Sequence, residues 1–94
     1  MPKYVILTNW TDQGAHDTKN TLQRTDDAAE AFSGVGGTTD SVYWTMGPYD
    51  VVTVADFPDD ESASSAALKV AKQGHARTTT MRAFAREDME RIIE

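Results

Sequence analysis

The order of strand and helix signals is the feature of this chain that most restricts its fold. Tyr4–Trp10 is rich in β-branched and aromatic residues, so it predicts a first strand that the turn formers Thr11–Gly14 should end. Further strands are predicted at 39–46, 51–57 and 75–84. Pro48 suits the corner of a turn because its φ is fixed, so the middle two strands should form an antiparallel hairpin around Gly47–Asp50.

A first helix should follow the first strand. Asn20, with Gln23 three residues on, is a version of the N-terminal capping box, and Gly34 can close the last turn in the left-handed conformation. Residues at helical spacing predict its buried side: Leu22, Thr25, Ala29 and Phe32. Charged residues should occupy its other faces: Arg24, Asp26, Asp27 and Glu30.

A second helix should follow the hairpin. It is predicted to begin at Pro58–Glu61, where acidic groups lie at its positive end, and to end at Gly74. A stripe of small residues would let it approach a sheet closely: Ala63, Ala66, Ala67, Val70 and Ala71. A short C-terminal helix should carry apolar residues on one side: Met89, Ile92 and Ile93.

The predicted order is therefore β-α-β-β-α-β followed by a short helix. Few folds satisfy that order with short connections and right-handed crossovers, and the ferredoxin-like split βαβ is the commonest of them. Ninety-four residues are a usual size for one domain, so we expect residues 1–94 to form a single α+β domain. In this fold both helices cover one face of a four-stranded antiparallel sheet and leave the other face uncovered.

Apolar side chains occur on both sides of the predicted strands. On the first strand, one side carries Tyr4, Ile6, Thr8 and Trp10, and the other carries Val5, Leu7 and Asn9. The second strand likewise sets Val42, Trp44 and Met46 against Ser41, Tyr43 and Thr45. Because the helices can cover only one face, the simplest cover for the other is a second copy of the same sheet. We therefore predict a homodimer with facing sheets.

Composition excludes several classes of function. The chain has no cysteine, which rules out disulfides, thiolate metal sites and cysteine nucleophiles. Its net charge of −6 argues against nucleic acid and anionic membranes as partners, because the field of the protein would repel them. There is no long apolar run and no secretory leader, so we expect a cytoplasmic protein. His16 and His75 lack metal-ligand spacing, and no phosphate-binding loop occurs, so no metal or cofactor is expected.

Three segments of the chain match the pattern of a known family when they are taken together. They are Tyr4–Gly14, Tyr43–Asp50 and Arg77–Phe84. In this order and spacing they resemble the GYD domain family, which is named for a glycine, tyrosine and aspartate motif. The resemblance covers essentially the whole chain and implies a ferredoxin-like fold of the dimeric α/β-barrel kind. The family is one of unknown function, so the resemblance implies no catalytic residue.

Tyr49 and Asp50 are candidate ligand contacts at the predicted hairpin. Asp50 could act as a general base or anchor a ligand, and Tyr49 could donate a hydrogen bond or stack on it. The alternative is a turn motif, in which Asp50 accepts backbone N–H groups and Tyr49 packs across the turn. We favour the turn motif, because aspartate is common in turns whatever a protein does.

Five other residues are candidates for ligand binding. Trp10 and Tyr43 could line a small-molecule pocket, although core or interface packing is the commoner role of aromatic residues. Arg77 and Arg82 should fall on opposite faces of the last strand, and either could bind an anionic group. We expect each arginine to pair with an acidic neighbour instead. His75 could act as an acid or base, but a surface or capping role is favoured.

Two classes of function are left open. The first is a binding or structural protein, whose interior between the sheet and its partner holds a small apolar or aromatic molecule. The second is a cofactor-free enzyme, similar to an oxygenase or isomerase, in which Tyr49, Asp50, His75 and an arginine transfer protons and stabilise charge. Only analogy at the level of the fold supports the enzyme, and a fold does not determine function. A pocket of several hundred Å³ with convergent polar groups would favour it.

Overall fold

The computed structural model describes residues 1–94 and contains four strands and four α-helices. The strands are β1 (Lys3–Trp10), β2 (Thr38–Trp44), β3 (Val51–Asp56) and β4 (Ala76–Ala83). The helices are α1 (Asp12–His16), α2 (Thr21–Gly34), α3 (Asp60–Lys72) and α4 (Arg86–Ile92), and a 3₁₀ turn, Thr18–Asn20, precedes α2. None of these helices has the length and the apolar run that crossing a bilayer requires.

The sheet has the strand order β2-β3-β1-β4, and every neighbouring pair is antiparallel. β1 lies at its centre and pairs with β4 along its whole length. α2 packs beside β2, α3 packs beside β4, and the two helices contact each other across the same face. The α+β ferredoxin-like fold predicted from the order of the elements is therefore confirmed.

The core lies between this face of the sheet and the two long helices. Phe57, which directly follows β3, is completely buried. Its ring lies edge-on to the rings of Tyr4 and Phe32, with centroids 5.5 Å and 5.2 Å away. Ala63 and Ala66 of α3 belong to the same cluster, because their small side chains let the helix approach the sheet closely. The predicted small-residue stripe thus supplies the contact surface of α3.

The start of α2 differs from the prediction. Thr11 begins a short helix instead of an open turn, because its hydroxyl accepts a backbone N–H of the first helical turn. The 3₁₀ turn then leads directly into α2, so the Asn20 backbone is not in the extended conformation that a capping side chain usually has. The Asn20 amide donates to Asp17 instead. The predicted capping box is therefore wrong.

The buried side of α2 also differs in part. Leu22, predicted to face inward, is 64% exposed. Arg24, predicted to face outward, is turned inward, and its side chain is only 14% exposed. The carbonyl groups at the end of α1 need hydrogen-bond donors, and the guanidinium of Arg24 donates to them. The side chain of Arg24 therefore points inward despite its charge, because these carbonyl oxygens need a hydrogen-bond donor.

Several element ends lie within a few residues of their predicted positions. β2 ends at Trp44 instead of Met46, which is left exposed beyond the strand. The left-handed glycine after α2 is Gly36, with φ 84°, and not Gly34, which is still helical. Ala71, at the end of the predicted stripe of α3, is exposed. The spacing of apolar residues therefore predicts where the helices and strands lie. The exact residue at which each one ends depends on contacts with neighbouring segments.

The N-terminus of α3 and the terminal helix form as predicted. Asp59 precedes α3, and its carboxylate accepts the N–H of Ser62 at 2.8 Å. Hydrogen bonding to Ser62 lowers the pKa of Asp59. In the region of α4, three apolar side chains remain exposed: Met89, Ile92 and Ile93.

The hydroxyl of Tyr4 links the core to the start of α3 and predicts a pH dependence. It donates to Asp60 at 2.5 Å. Burial, followed by this hydrogen bond, raises the pKa of Tyr4 from 10.0 to about 12. Because the folded pKa lies above the unfolded one, the stability contributed by neutral Tyr4 is complete below pH 10 and is lost as the pH rises through 12.

Tyr4→Phe should remove this part of the alkaline loss of stability. The measurement is the urea midpoint of both proteins at a series of pH values between about 8 and 12, the interval that spans the two pKa values. The curves should converge as the pH rises. Parallel curves would show that Tyr4 does not ionise with a raised pKa in the folded protein.

Candidate functional site

The register of the sheet assigns the two sides of β1 to different environments. Tyr4 and Ile6 are buried beneath the helices, and Thr8 and Trp10 lie on the same side. The alternate residues of β1 therefore face away from α2 and α3. The predicted grouping of side chains is confirmed, and the structure identifies which group faces the helices.

The side of the sheet without helices, here called the open face, is apolar at its centre. Cross-strand pairs place Val5 beside Val54 and Met81, and Leu7 beside Val52. Tyr43, paired with Val52, and Met81 are 63% and 43% exposed. The six apolar side chains of the open face are Val5, Leu7, Val52, Val54, Tyr43 and Met81. Aliphatic, aromatic and thioether groups therefore form one continuous patch that no element of this chain covers.

Charged groups lie at the two ends of the open face. At one end Lys3 forms ion pairs with Asp40 and with Asp56, the latter at 3.1 Å. The hydrogen bond with Asp40 raises the pKa of Lys3 and lowers that of Asp40. At the other end Arg77 pairs across the strands with Asn9. The open face thus has one carboxylate in excess at the first end and one cation at the second.

A cavity of about 70 Å³ lies on the opposite side of the sheet, between the strands and α2. Nine of its 18 lining residues are hydrophobic. The sheet contributes Ile6, Val51 and Thr53 to its wall, and α2 contributes Thr25 and Phe32. The cavity is therefore a mixed environment of aliphatic, aromatic and hydroxyl groups.

Arg24 is the cationic residue in the wall of the cavity. Its guanidinium donates to the carbonyl oxygens of Asp17, at 2.6 Å, and Gly14, at 3.2 Å. The nearest carboxylate is that of Asp17, 3.6 Å away. These hydrogen bonds hold the guanidinium in place and connect α1 to the wall of the cavity.

Two further polar groups of the cavity wall lack a hydrogen-bond partner. They are the Thr39 hydroxyl on β2 and Nδ1 of His75, and both atoms are buried. Nε2 of His75 is engaged separately, 3.4 Å from the Gln13 amide nitrogen. Buried polar atoms are normally hydrogen-bonded, so each of these two marks a position where a water or ligand atom would be stabilised.

The family of this chain can be identified from a match over nearly its whole length. A family model of the GYD domain matches residues 4–93. The chain is a member of the GYD domain family. The resemblance inferred from the three sequence segments is therefore confirmed.

Two comparisons place this GYD domain among known proteins. It is 28% identical over 90 residues to a protein of Thermus thermophilus named glutamine synthetase and cystathionine beta-lyase binding protein, and the alignment covers 95% of each chain. A crystal structure of a Thermus thermophilus protein superposes with a TM-score of 0.59 at 22% identity. That superposition covers 90% of this chain and 95% of the other, and it shows a shared fold.

The GYD motif itself, Gly47, Tyr49 and Asp50, lies in the loop between β2 and β3. The Asp50 carboxylate accepts the backbone N–H of Trp10 at 2.9 Å, which ties the loop to the end of β1. The Thr45 hydroxyl donates to the carbonyl oxygen of Tyr49 at 2.6 Å. Gly47 has φ 104°, a left-handed value that favours glycine. In this GYD domain the motif has the geometry of a turn that is anchored to the neighbouring strand.

The other predicted site residues are distributed over both faces of the domain. Trp10 and His75 line the cavity. Tyr43 and Arg77 lie on the open face. Arg82 lies on the helix side of β4, where its guanidinium is 5.2 Å from the centre of the Phe84 ring and 6.0 Å from that of Tyr4.

The expected pairing of the two strand arginines with acidic residues is wrong. None of the five ion pairs in the structure includes Arg77 or Arg82. Arg82 stacks on aromatic rings instead, because the planar guanidinium is attracted to the face of a π-system. Arg77 pairs with Asn9 and Arg82 pairs with Tyr4, and these two partners lie on opposite sides of β1. This agrees with the prediction that the two arginines lie on opposite faces of the sheet.

Sequence reasoning missed Arg24, Thr39 and Thr53 as parts of a site. One signal was present: Arg24 lies four and eight residues before Ala28 and Phe32, which share its side of a helix. A charged residue that shares one side of a helix with apolar residues is predicted to lie against the core. The two threonines carry no such signal, because threonine is common in any strand.

Proposed function

We propose that this GYD domain is a non-catalytic binding protein that acts as a homodimer, with the open faces of two copies packed together. The observation that carries the proposal is the continuous apolar patch of Val5, Leu7, Val52, Val54 and Met81 on a face without helices. Strand side chains of this kind are usually buried against another layer of structure. A second copy supplies that layer and is self-complementary across a twofold axis.

Met81→Glu tests the dimer. A carboxylate at this position would be taken out of water without a partner, so we expect dimer affinity to fall by about tenfold or more. The measurement is the sedimentation equilibrium of both proteins over a range of concentrations. Leu68→Glu is the matched control, because Leu68 is 71% exposed on α3, away from the open face. A wild-type protein that sediments as a monomer at every concentration would contradict the proposal.

The partners we propose are other proteins, as for the Thermus thermophilus relative. That relative is named for binding glutamine synthetase and cystathionine beta-lyase, and the alignment spans nearly all of both chains. Purified glutamine synthetase and cystathionine beta-lyase from the source of this chain are therefore the first partners to test, by biolayer interferometry. Binding to neither enzyme would remove the support that the relative gives.

A second proposed function is the binding of a small, mainly apolar molecule in the cavity beneath α2. It is favoured by the hydrophobic half of the cavity wall and by the unpartnered polar atoms of Thr39 and His75. The cavity is far smaller than the roughly 300 Å³ at which pockets for drug-sized ligands begin, so its ligand has few non-hydrogen atoms. Native mass spectrometry of freshly purified protein would report a retained ligand and the oligomeric state together.

The cofactor-free enzyme receives no comparable support. Its proposed groups were Tyr49, Asp50, His75 and an arginine of β4, and among these only His75 lines the cavity. The Asp50 carboxylate accepts the backbone N–H of Trp10 and is held in the hairpin loop by that hydrogen bond. We therefore propose binding in preference to catalysis.

A further inference from the structure

Arg24 is a cation held largely out of water in a strongly acidic protein. Its side chain is 14% exposed, and its two hydrogen bonds to carbonyl oxygens use two of the five N–H donors of a guanidinium. The one nearby carboxylate, that of Asp17, is itself 37% exposed and lies 3.6 Å away. A buried arginine is usually paired closely with an anion. The guanidinium therefore retains N–H donors for an anionic group bound in the cavity that Arg24 lines.

The rest of the wall restricts the kind of anion. Ile6, Phe32 and Val51 offer aliphatic and aromatic contacts, while Thr25 and Thr53 add hydroxyl groups. An inorganic anion would make no use of the apolar wall, and a hydrocarbon would leave the remaining N–H donors of the guanidinium without an acceptor. A ligand with a charged head and a short apolar tail satisfies both parts of the wall.

The volume of the cavity limits the length of the tail. An apolar cavity of about 150 Å³ in another protein holds one benzene molecule, and this one measures about 70 Å³. Benzene has six non-hydrogen atoms, so by the same measure this cavity encloses about three, which is the size of a carboxylate group. Because the cavity is partly open to solvent, the tail of a monocarboxylate with two or three carbon atoms would lie at its mouth.

We propose that the cavity binds a short aliphatic monocarboxylate, with Arg24 as the partner of the carboxylate group. This assignment depends on the second proposed function, the binding of a small molecule in the cavity, and specifies the chemical class of that molecule. A carboxylate accepts two parallel N–H bonds from a guanidinium, and hydrogen bonds between charged groups are the strongest of their kind. The hydroxyls of the wall would complete its hydrogen bonding, and the tail would contact Phe32 and Val51.

The test is an NMR titration of the ¹⁵N-labelled full chain with propionate, followed by propionamide and inorganic phosphate. Propionamide has the same shape without the charge, and phosphate has the charge without the tail. We expect saturable shifts of amides around Ala29, Phe32 and Thr53 with propionate, and affinities about tenfold weaker or worse for the other two probes. Hexanoate should bind no more tightly than propionate, because the rest of its tail would lie beyond the cavity.

Two variants separate the role of Arg24 from folding. Arg24→Gln should weaken propionate binding by about ten- to a hundredfold, because a charged hydrogen-bond partner is lost. Ala29→Leu leaves the guanidinium intact and fills the cavity, so it should abolish binding even if Arg24→Gln does not fold. Arg77→Gln, on the opposite face, is the control and should bind propionate as the wild type does.

Each outcome supports or overturns a defined part of the proposal. Equal binding of propionamide and propionate would overturn the carboxylate class while leaving the cavity as a ligand site. Equal binding of phosphate would overturn the need for an apolar tail. Binding of none of the probes at the cavity residues would overturn both the carboxylate and the proposed cavity ligand. Propionate binding that survives Ala29→Leu would place the carboxylate elsewhere and overturn the assignment.

Discussion

Phe57→Ala should destabilise the domain by about 3–5 kcal/mol, the range for removing a fully buried aromatic ring from a core. The ring is completely buried and makes edge-on contacts with both Tyr4 and Phe32. Its loss would leave a cavity beside the rings of Tyr4 and Phe32. Backbone hydrogen bonds keep β1 and α2 rigid, so the surrounding structure can close this space only in part. A domain of this size has a total stability of about 5–15 kcal/mol, so this one change removes a large part of it.

Equilibrium urea unfolding, followed by circular dichroism at one fixed protein concentration, measures this effect. The concentration must be fixed, because association would add to the apparent stability. Leu68→Ala is the matched control: the side chain lies exposed on α3, and surface changes of this kind stay within about 0.5 kcal/mol. A midpoint for Phe57→Ala equal to that of the control would mean that Phe57 is not the centre of the core.

Gly14→Ala should destabilise the domain by about 1–3 kcal/mol, the usual cost of overpacking. A Cβ at this position would lie 2.1 Å from the carbonyl oxygen of His75 and 3.3 Å from Cβ of Trp10. The same carbonyl accepts the N–H of Thr11 at 3.1 Å, so it cannot move away without losing that bond. We expect the upper end of the range, because backbone and not a flexible side chain would have to shift.

Gly34→Ala is the control for the glycine substitution and should have the opposite sign. Gly34 is the last residue of α2, and a Cβ there would have no atom of another segment of the chain within 4 Å. Alanine restricts the unfolded chain more than glycine does, so we expect a gain of up to about 1 kcal/mol. Differential scanning calorimetry of the two variants beside the wild type would measure both changes. Equal melting temperatures for Gly14→Ala and the wild type would contradict the close contact between α1 and His75.

Gly14 also connects this packing to the proposed ligand site. Its carbonyl oxygen accepts an N–H of Arg24, and the residue it contacts, His75, lines the same cavity. A shift of α1 caused by Gly14→Ala would therefore move the guanidinium. In the NMR titration this variant should bind propionate less tightly than Gly34→Ala, although neither glycine lines the cavity.

The sequence alone determined the class of fold and the two environments of the sheet. Strand alternation and helical period are local properties, so they predicted that Tyr4 and Ile6 share one side of β1 and Val5 and Leu7 the other. The small residues of α3 were recognisable for the same reason. With a β-α-β-β-α-β order, these patterns leave few possible folds, and the ferredoxin-like sheet, which buries one of the two apolar sets beneath its helices, is the commonest of them.

The tertiary structure alone decided where the candidate site lies. The cavity is formed where α2 crosses the ends of strands that are distant in sequence, and the inward turn of Arg24 depends on carbonyl groups of α1 that no periodicity reveals. The aspartate of the GYD motif is fixed by the N–H of Trp10, forty residues earlier. Hydrogen bonds between residues so distant in sequence depend on how the helices and strands pack. A donor or acceptor without a partner in its own helix or strand finds one in a neighbouring element.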